Sequence, residues 1–466
     1  MATPEELIHA KMRSAQVAEP TIAGFLDAVR RVRAGQRGML AESTLEPVRD
    51  LPRLDALAES SELDASLLRQ LVVFKLNGGL GTGMGLDRAK SLISVRGGDT
   101  FLDFIVRQIL HLRRATGSDA PAFCLMNSQV TRADTLDYLR RFPELGSGDL
   151  DFLQSMVPKI DPTTLEPVSW PEDPELEWCP PGHGDFYPSL LASGLLDRLL
   201  SRGIRYAFVS NSDNLGATVD PKVLGYFAEH DLPFLMEVAE RTAADRKGGH
   251  LARSRTSGRL LLRESAQCPK EEEGVFQDIE RHRFFNTNNL WIRLDRVREE
   301  LDRNGGSFPL PLITNAKTVV PRNPASPKVL QLESAMGAAI ECFDGSSALV
   351  VPRSRFAPVK STGDLLALRS DAYQVTPDAR LELVAARQGQ PPLIDLDPVP
   401  YKVVSDFETY FPGGSPSLVN CDAVKVSGRV RFEPGVVLEG RVEFRNEQPQ
   451  VMGVPPGTYR NTRIEW

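Results

Sequence analysis

The chain has 466 residues, enough for two or three domains rather than one. Its 41% hydrophobic and 25% charged content is that of an ordinary globular protein, and its net charge of −7 argues against a chain built to coat nucleic acid. No apolar stretch approaches a membrane span, residues 1–13 lack a secretory apolar core, and the five scattered cysteines without C-x-x-C spacing fit a reducing cytoplasm best.

Residues 3–34 carry helical spacing, with Leu7, Met12 and Val17, then Ile22, Phe25, Leu26 and Val29. Pro20 or Thr21 can start the second helix and Gly35 end it. An irregular, proline-containing crossing leads to the apolar run 71–76, too short for a helix and stopped by Asn77-Gly78. This buried strand feeds the loop 77–85, which has five glycines in nine positions. Such a loop lets backbone N–H groups approach a ligand closely and form a concave anion site. Its spacing matches neither a Walker A loop, which needs Gly-Lys-Ser/Thr, nor G-x-G-x-x-G. On glycine content alone, a phosphate cradle and a tight strand-to-helix turn are equally good readings. Lys90 follows the loop, where an ammonium can meet a phosphate.

From here strands and helices alternate. A helix is expected over 101–113, and strands over 122–126, 204–209, 232–238 and 289–294. Apolar strands alternating with helices predict an α/β fold with a mostly parallel sheet covered on both faces, with functional residues at the carboxyl ends of the strands. The polar strings after the strands sit where that rule wants them. Asp213, in the turn after 204–209, can bind Mg²⁺ or cap a helix. His183 lies between Gly182 and Gly184 after two prolines, an arrangement that brings backbone and imidazole to a ligand. The amides of 286–289 suit sugar hydroxyls, or form a polar turn. Residues 352–362 hold Arg353, Arg355 and Lys360 between prolines, a stiffened basic segment suited to a fixed anion. No Ser-His-Asp order, paired-carboxylate site or His/Cys metal cluster stands out.

After the proline-rich stretch 370–420 the pattern changes. Val424, Val430, Val436 and Val442 recur every sixth residue, as do Val426, Phe432, Leu438 and Phe444. Two inward apolar positions per six-residue coil predict a parallel β-helix, whose open edges commonly pack on something else, such as another subunit.

Taken together, Lys75-Leu76-Asn77-Gly78-Gly79-Leu80-Gly81-Thr82, Pro181-Gly182-His183-Gly184-Asp185, Met236-Glu237-Val238 and the strings 210–219, 245–249, 285–292, 331–340 and 351–364 resemble the UDP-glucose pyrophosphorylase (UTP–glucose-1-phosphate uridylyltransferase) family in collinear order. The resemblance implies a GT-A-like (Rossmann-like) nucleotidyltransferase core over 70–369. An N-terminal helical region would occupy 1–69, a connecting segment 370–420, and a short β-helix 421–466. It implies Mg²⁺-dependent, reversible chemistry in a cytoplasmic enzyme. Glucose 1-phosphate would attack the α-phosphorus of UTP, giving UDP-glucose and pyrophosphate. Self-association through the β-helix is implied, with no nucleic-acid or membrane partner.

By carry-over, Leu76, Asn77, Gly78 and Gly79 would hold the nucleoside through backbone groups. Gln154 would read the uracil edge and Gly182 lie against the base. The sugar phosphate would meet Gly78, Gly79, His183, Asn211, Ser212, Asp213 and Asn288, with Asn211 also on the UTP side and Asp213 holding Mg²⁺. Lys90 and Lys360, the catalytic cations, would neutralise phosphate charge together with the later part of the glycine loop. One departure stands out, since Ala89 replaces the family's usual proline before the loop lysine. Two alternatives keep the fold but change the function: a non-catalytic UDP-sugar sensor, or the same chemistry on another hexose 1-phosphate.

Overall fold

Strand Leu71–Asn77 alternates its side chains between two separate cores, as a strand buried on both faces must. Leu71 and Val73 pack on one side with the helix Phe101–Thr116, while Val72 and Phe74 pack on the other with Phe186 and Met126. The computed structural model describes residues 2–57, 64–146, 148–242, 245–321 and 323–466. Ten strands form the central sheet, starting with β1 (Leu45–Pro47), β2 (Leu71–Asn77), β3 (Ala122–Asn127), β4 (Asp151–Leu153) and β5 (Tyr206–Asn211). The others are β6 (Phe234–Glu240), β7 (His250–Ser254), β8 (Leu260–Arg263), β9 (Phe284–Arg293) and β10 (Ser347–Val350). The main order is β1-β7-β9-β5-β2-β3-β4, with β6 lying between β9 and β10, and β8 beside β7.

The sheet is mixed. It is parallel across β5, β2, β3 and β4, and between β6 and β10. The strand expected at 289–294 begins earlier and runs antiparallel to both β5 and β6. The polar residues 286–289, for which a polar turn was the alternative to a sugar-binding role, lie inside β9 at a break in register opposite Glu237 and Val238. A bulge of this kind re-aims side chains, and Asn288 there has φ +59°, a conformation Asn tolerates better than most residues.

The N-terminal helices Pro4–Ser14 and Glu19–Arg33 form as expected, the first with a Thr3/Glu6 capping box. They bury Ile8, Met12, Ile22, Phe25 and Val29 against Val157, Ile160 and Leu332 of the core. Leu7, expected on the buried face, is exposed. No helix among the described residues is long and apolar enough to cross a membrane.

At the C-terminus, Ser417–Ser427 pairs in parallel with Val436–Arg445, which pairs in parallel with Gly457–Arg460 and Arg463–Glu465. Val424 faces Val442 and Val426 faces Phe444, eighteen positions on. Parallel partners are therefore three six-residue units apart, so the six-residue unit is not a whole coil. All eight apolar residues of the repeat are buried. Leu393–Leu396, expected in the connecting segment, pairs in parallel with Ser417–Ser427 and so belongs to the same stack.

Candidate active site

β2, β3 and β5 end side by side in Asn77, Asn127 and Asn211. Asn77 is buried beneath the surface. Its Nδ2 donates to Asn127 Oδ1 (2.8 Å) and Thr135 Oγ1 (3.0 Å), and its Oδ1 accepts from Ser212 Oγ (3.1 Å). These bonds satisfy polar groups that would be costly to bury alone, and they tie three strand ends into one floor. Above the floor lies a cavity of about 360 Å³. Leu76, Gly78, Gly79, Lys90, Gln154 and Gly182 line it together with His183, Asn211, Ser212 and Asp213. A cavity of about 410 Å³ lies behind the same wall, against helix Glu19–Arg33, but it does not gather the strand ends. The first cavity is where an α/β sheet presents ligands.

Gln154 is held from three directions. Its backbone N–H donates to Asn127 O (2.8 Å), its side-chain Nε2 to Gly182 O (2.9 Å), and the following Ser155 N–H to Asp185 Oδ2 (2.7 Å). Burial pushes the Asp185 carboxyl up to about 6. With its amide nitrogen occupied, Gln154 turns Oε1 toward Gly78, where an added Cβ would come within 2.9 Å of it. Gly182 has φ +80°, and an added Cβ would sit 2.4 Å from Ser334 O, so a side chain is excluded twice over.

His183 Nδ1 accepts from Met336 N–H (2.9 Å), and burial pushes its pKa down to about 4. The imidazole is therefore neutral near pH 7, with its proton on Nε2 as a donor.

The glycine loop folds back on itself. Leu80 bridges Ala89, and Lys90 N–H donates to Gly79 O (3.2 Å), which delivers the lysine beside the first half of the loop. Ala89 has φ −54°, inside the range proline would impose, so the approach keeps its shape without the ring. The later part of the loop was expected to share the phosphates, but it does not reach the cavity. An added Cβ on Gly81 would strike Leu86, and one on Gly85 would strike Val403, so these glycines serve packing.

Lys90 Nζ lies 2.5 Å from Asp213 Oδ2, with both side chains mostly buried. The other carboxylate oxygen, Asp213 Oδ1, is buried without a hydrogen-bond partner among the described residues, and so is Asn288 Oδ1. Asn288 does not line the cavity itself, but its Nδ2 donates to Asn211 Oδ1 (2.9 Å) at the edge. Lys360 is exposed and lies outside the lining, with Nζ 5.8 Å from the Phe356 ring centre. Its segment nonetheless meets the Asp213 turn, since Val359 N–H donates to Asp213 O (3.2 Å). The other two cations of that segment are already committed. Arg353 pairs with Asp245 and Arg355 with Glu237, which leaves Lys360 as the cation of the three without an ion pair among the described residues.

The profile of the UTP--glucose-1-phosphate uridylyltransferase family matches residues 23–439. The chain belongs to that family. A relative bearing that name from Hordeum vulgare is 41% identical over 448 residues, covering 95% of this chain and 92% of its own. The fold is similar to that of a variant UDP-glucose pyrophosphorylase from Leishmania major solved in complex with UDP-glucose. The TM-score is 0.94 at 48% identity, over 100% of this chain and 99% of that one. A Trypanosoma brucei protein titled UDP-glucose phosphorylase matches with a TM-score of 0.91 at 48% identity, over 99% of each chain.

Several residues of the site were not legible in the sequence. Met126, Pro180 and Glu333 line the cavity as well. Glu333 lies within the string 331–340, yet nothing in its spacing distinguishes it from other acidic residues at the end of a strand.

Proposed function

We propose that the chain is a Mg²⁺-dependent uridylyltransferase that joins glucose 1-phosphate to the uridylyl group of UTP, reversibly, with release of pyrophosphate. One observation carries this reading. A fixed amide that can read a pyrimidine edge and a Lys90–Asp213 pair suited to phosphate and metal line one cavity at the carboxyl ends of three parallel strands.

The chemistry follows from those positions. A phosphate oxygen of glucose 1-phosphate forms a bond to the α-phosphorus of UTP, and the bond from that phosphorus to the bridging oxygen breaks as pyrophosphate leaves. The protein need supply no nucleophile, only alignment and charge. Gly78, Gly79 and the backbone of Leu76 and Asn77 bound the nucleoside, with Gly182 flat against the base. Gln154 Oε1 accepts the uracil N3–H. Cytosine has a bare N3 there and meets the same oxygen with repulsion. His183, held neutral, offers Nε2–H to the sugar phosphate beside Asn211, Ser212 and Asn288. Lys90 and Lys360 neutralise the phosphates.

Mg²⁺ fits the donor set. The bare Asp213 Oδ1 is a hard oxygen ligand, and no cluster of three or more His, Cys, Asp or Glu is present among the described residues. That suits an ion that takes one protein carboxylate and completes its shell with phosphate oxygens and water. When bound, it would withdraw charge from the transferring phosphate.

We read the stacked C-terminal strands, Leu393–Leu396 included, as a short parallel β-helix that follows a catalytic domain over 70–369. Its open edge suits association with a second copy. The free cysteines and the substrates fit the cytoplasm.

The test is direct. Purified protein with UTP, glucose 1-phosphate and MgCl₂ should form UDP-glucose, and an absence of turnover with every hexose 1-phosphate in a panel would reject the reading. Gln154→Ala should lower the preference for UTP over CTP by roughly 10- to 100-fold, because an unpaired buried polar group costs about 1–3 kcal/mol. Equal losses on both nucleotides in competition assays would remove Gln154 from the base site.

A further inference from the structure

The buried pair Glu237–Arg355 lies outside the cavity and is used by none of the steps above. Glu237, on β6, is fully buried, and Arg355 is nearly so. The guanidinium grips the carboxylate with two bonds, Nε to Oε2 (2.7 Å) and Nη2 to Oε1 (2.6 Å). Trp291 Nε1 and Asn289 Nδ2 donate to the same carboxylate at 2.9 and 3.1 Å. Every lone pair that matters is answered.

Stability alone is a poor reason for such a pair. Taking two charges out of water costs nearly as much as their attraction returns, and apolar residues of equal volume often hold a fold as well. What a bidentate pair does better than an apolar contact is set one geometry.

The geometry it sets runs toward the reacting groups. Arg355 O accepts from Asn214 Nδ2 (3.1 Å) and from Asn289 Nδ2 (3.1 Å), while Asn214 Oδ1 accepts from Ala357 N–H (3.0 Å). Pro358 then bridges Asn214, and Val359 N–H donates to Asp213 O. The segment that ends in Lys360 is thereby laced, residue by residue, to the turn that carries Asp213. Asp213 and Lys360 come from elements far apart in sequence, and this lacing is the direct connection between them.

We propose that Glu237 and Arg355 are positioning residues. Their ion pair fixes the register of the segment from Arg355 to Lys360 against the Asp213 turn, so that the ammonium of Lys360 and the carboxylate of Asp213 address the same transferring phosphate. This rests on the uridylyltransferase reading and adds to it a role for two residues that touch neither substrate.

The test is a double-mutant cycle on kcat, with thermal melting as a folding check. Glu237→Gln keeps the volume and can still accept from Trp291, but it loses the charge. It should lower kcat at least 30-fold while leaving KM for UTP within about 3-fold, because the uridine end of the cavity is held by Gln154 and Gly182 instead. In a Lys360→Ala background the same change should cost no more than about 3-fold, since a pair that acts through Lys360 has nothing left to position. Equal losses in the two backgrounds, or a rise in KM that matches the fall in kcat, would overturn the proposal. If Glu237→Gln does not fold, Arg355→Lys serves. It keeps the charge without the two-bond grip, and it must show the same non-additivity. Turnover by the unaltered chain separates the two readings. Without it the function itself is wrong, whereas turnover with an additive cycle discards only the positioning role.

Discussion

Lys90→Gln should change two measurements in opposite directions. Turnover should fall by about 100-fold, the usual loss when one preorganised charge is removed from a transferring phosphate. The affinity of the substrate-free protein for Mn²⁺ or Mg²⁺ should instead rise by about tenfold. The reason lies in the geometry of the pair, where the ammonium sits 2.5 Å from Asp213 Oδ2 and both side chains are mostly shielded from water. An ammonium on a carboxylate competes with any divalent ion for the same charge, and tenfold corresponds to only about 1.4 kcal/mol of that attraction. Entry of a metal–nucleotide complex would then be an exchange, with Lys90 moving from Asp213 to the phosphates as the ion takes its place. Titration followed by Mn²⁺ paramagnetic resonance reads the affinity without any turnover. Unchanged or weaker binding by Lys90→Gln would dismiss the exchange, and Asp213→Asn should abolish the gain in the double variant.

The second large effect is expected at Lys360. Lys360→Ala should lower kcat by about 100- to 1,000-fold and shift KM for UTP by no more than a few-fold. This lysine is exposed, outside the cavity lining, and without an ion pair among the described residues. A cation with no ground-state partner near the nucleotide can favour the transition state selectively, and that selectivity raises kcat rather than lowering KM. Steady-state kinetics with UTP varied at saturating glucose 1-phosphate separates the two. A raised KM with kcat intact would assign Lys360 to ground-state binding.

Much of this was readable in advance because it depends on local patterns. The strand into the glycine loop is set by a short apolar run, and the two N-terminal helices and the C-terminal repeat by periods of 3.6 and 6, and each element formed close to where its pattern put it. Gly182 announced a close backbone approach, since its φ of +80° and the nearby Ser334 O leave no room for a side chain. Errors arose where a residue had two local options. Asn286 to Asn289 read as amides for a sugar or as a polar turn, and pairing with β6 drew them into β9 and left the surplus as a bulge. The basic segment read as three free cations, yet two of them met carboxylates from Asp245 and Glu237 that lie more than a hundred positions earlier.

The sequence by itself determined the family, the order of the elements and which side chains could carry phosphate, metal and base. Short-range sterics and hydrophobic spacing leave few choices at that level. Only the tertiary structure decided how those side chains are committed. It placed Lys90 on Asp213, tied the amide nitrogen of Gln154 to Gly182 so that its oxygen turns toward Gly78, and packed the later glycines of the loop against Leu86 and Val403. Each of these is a contact between residues distant in the chain. A charge or an amide takes whichever partner the fold brings within 3 Å, and no local pattern records which one that is.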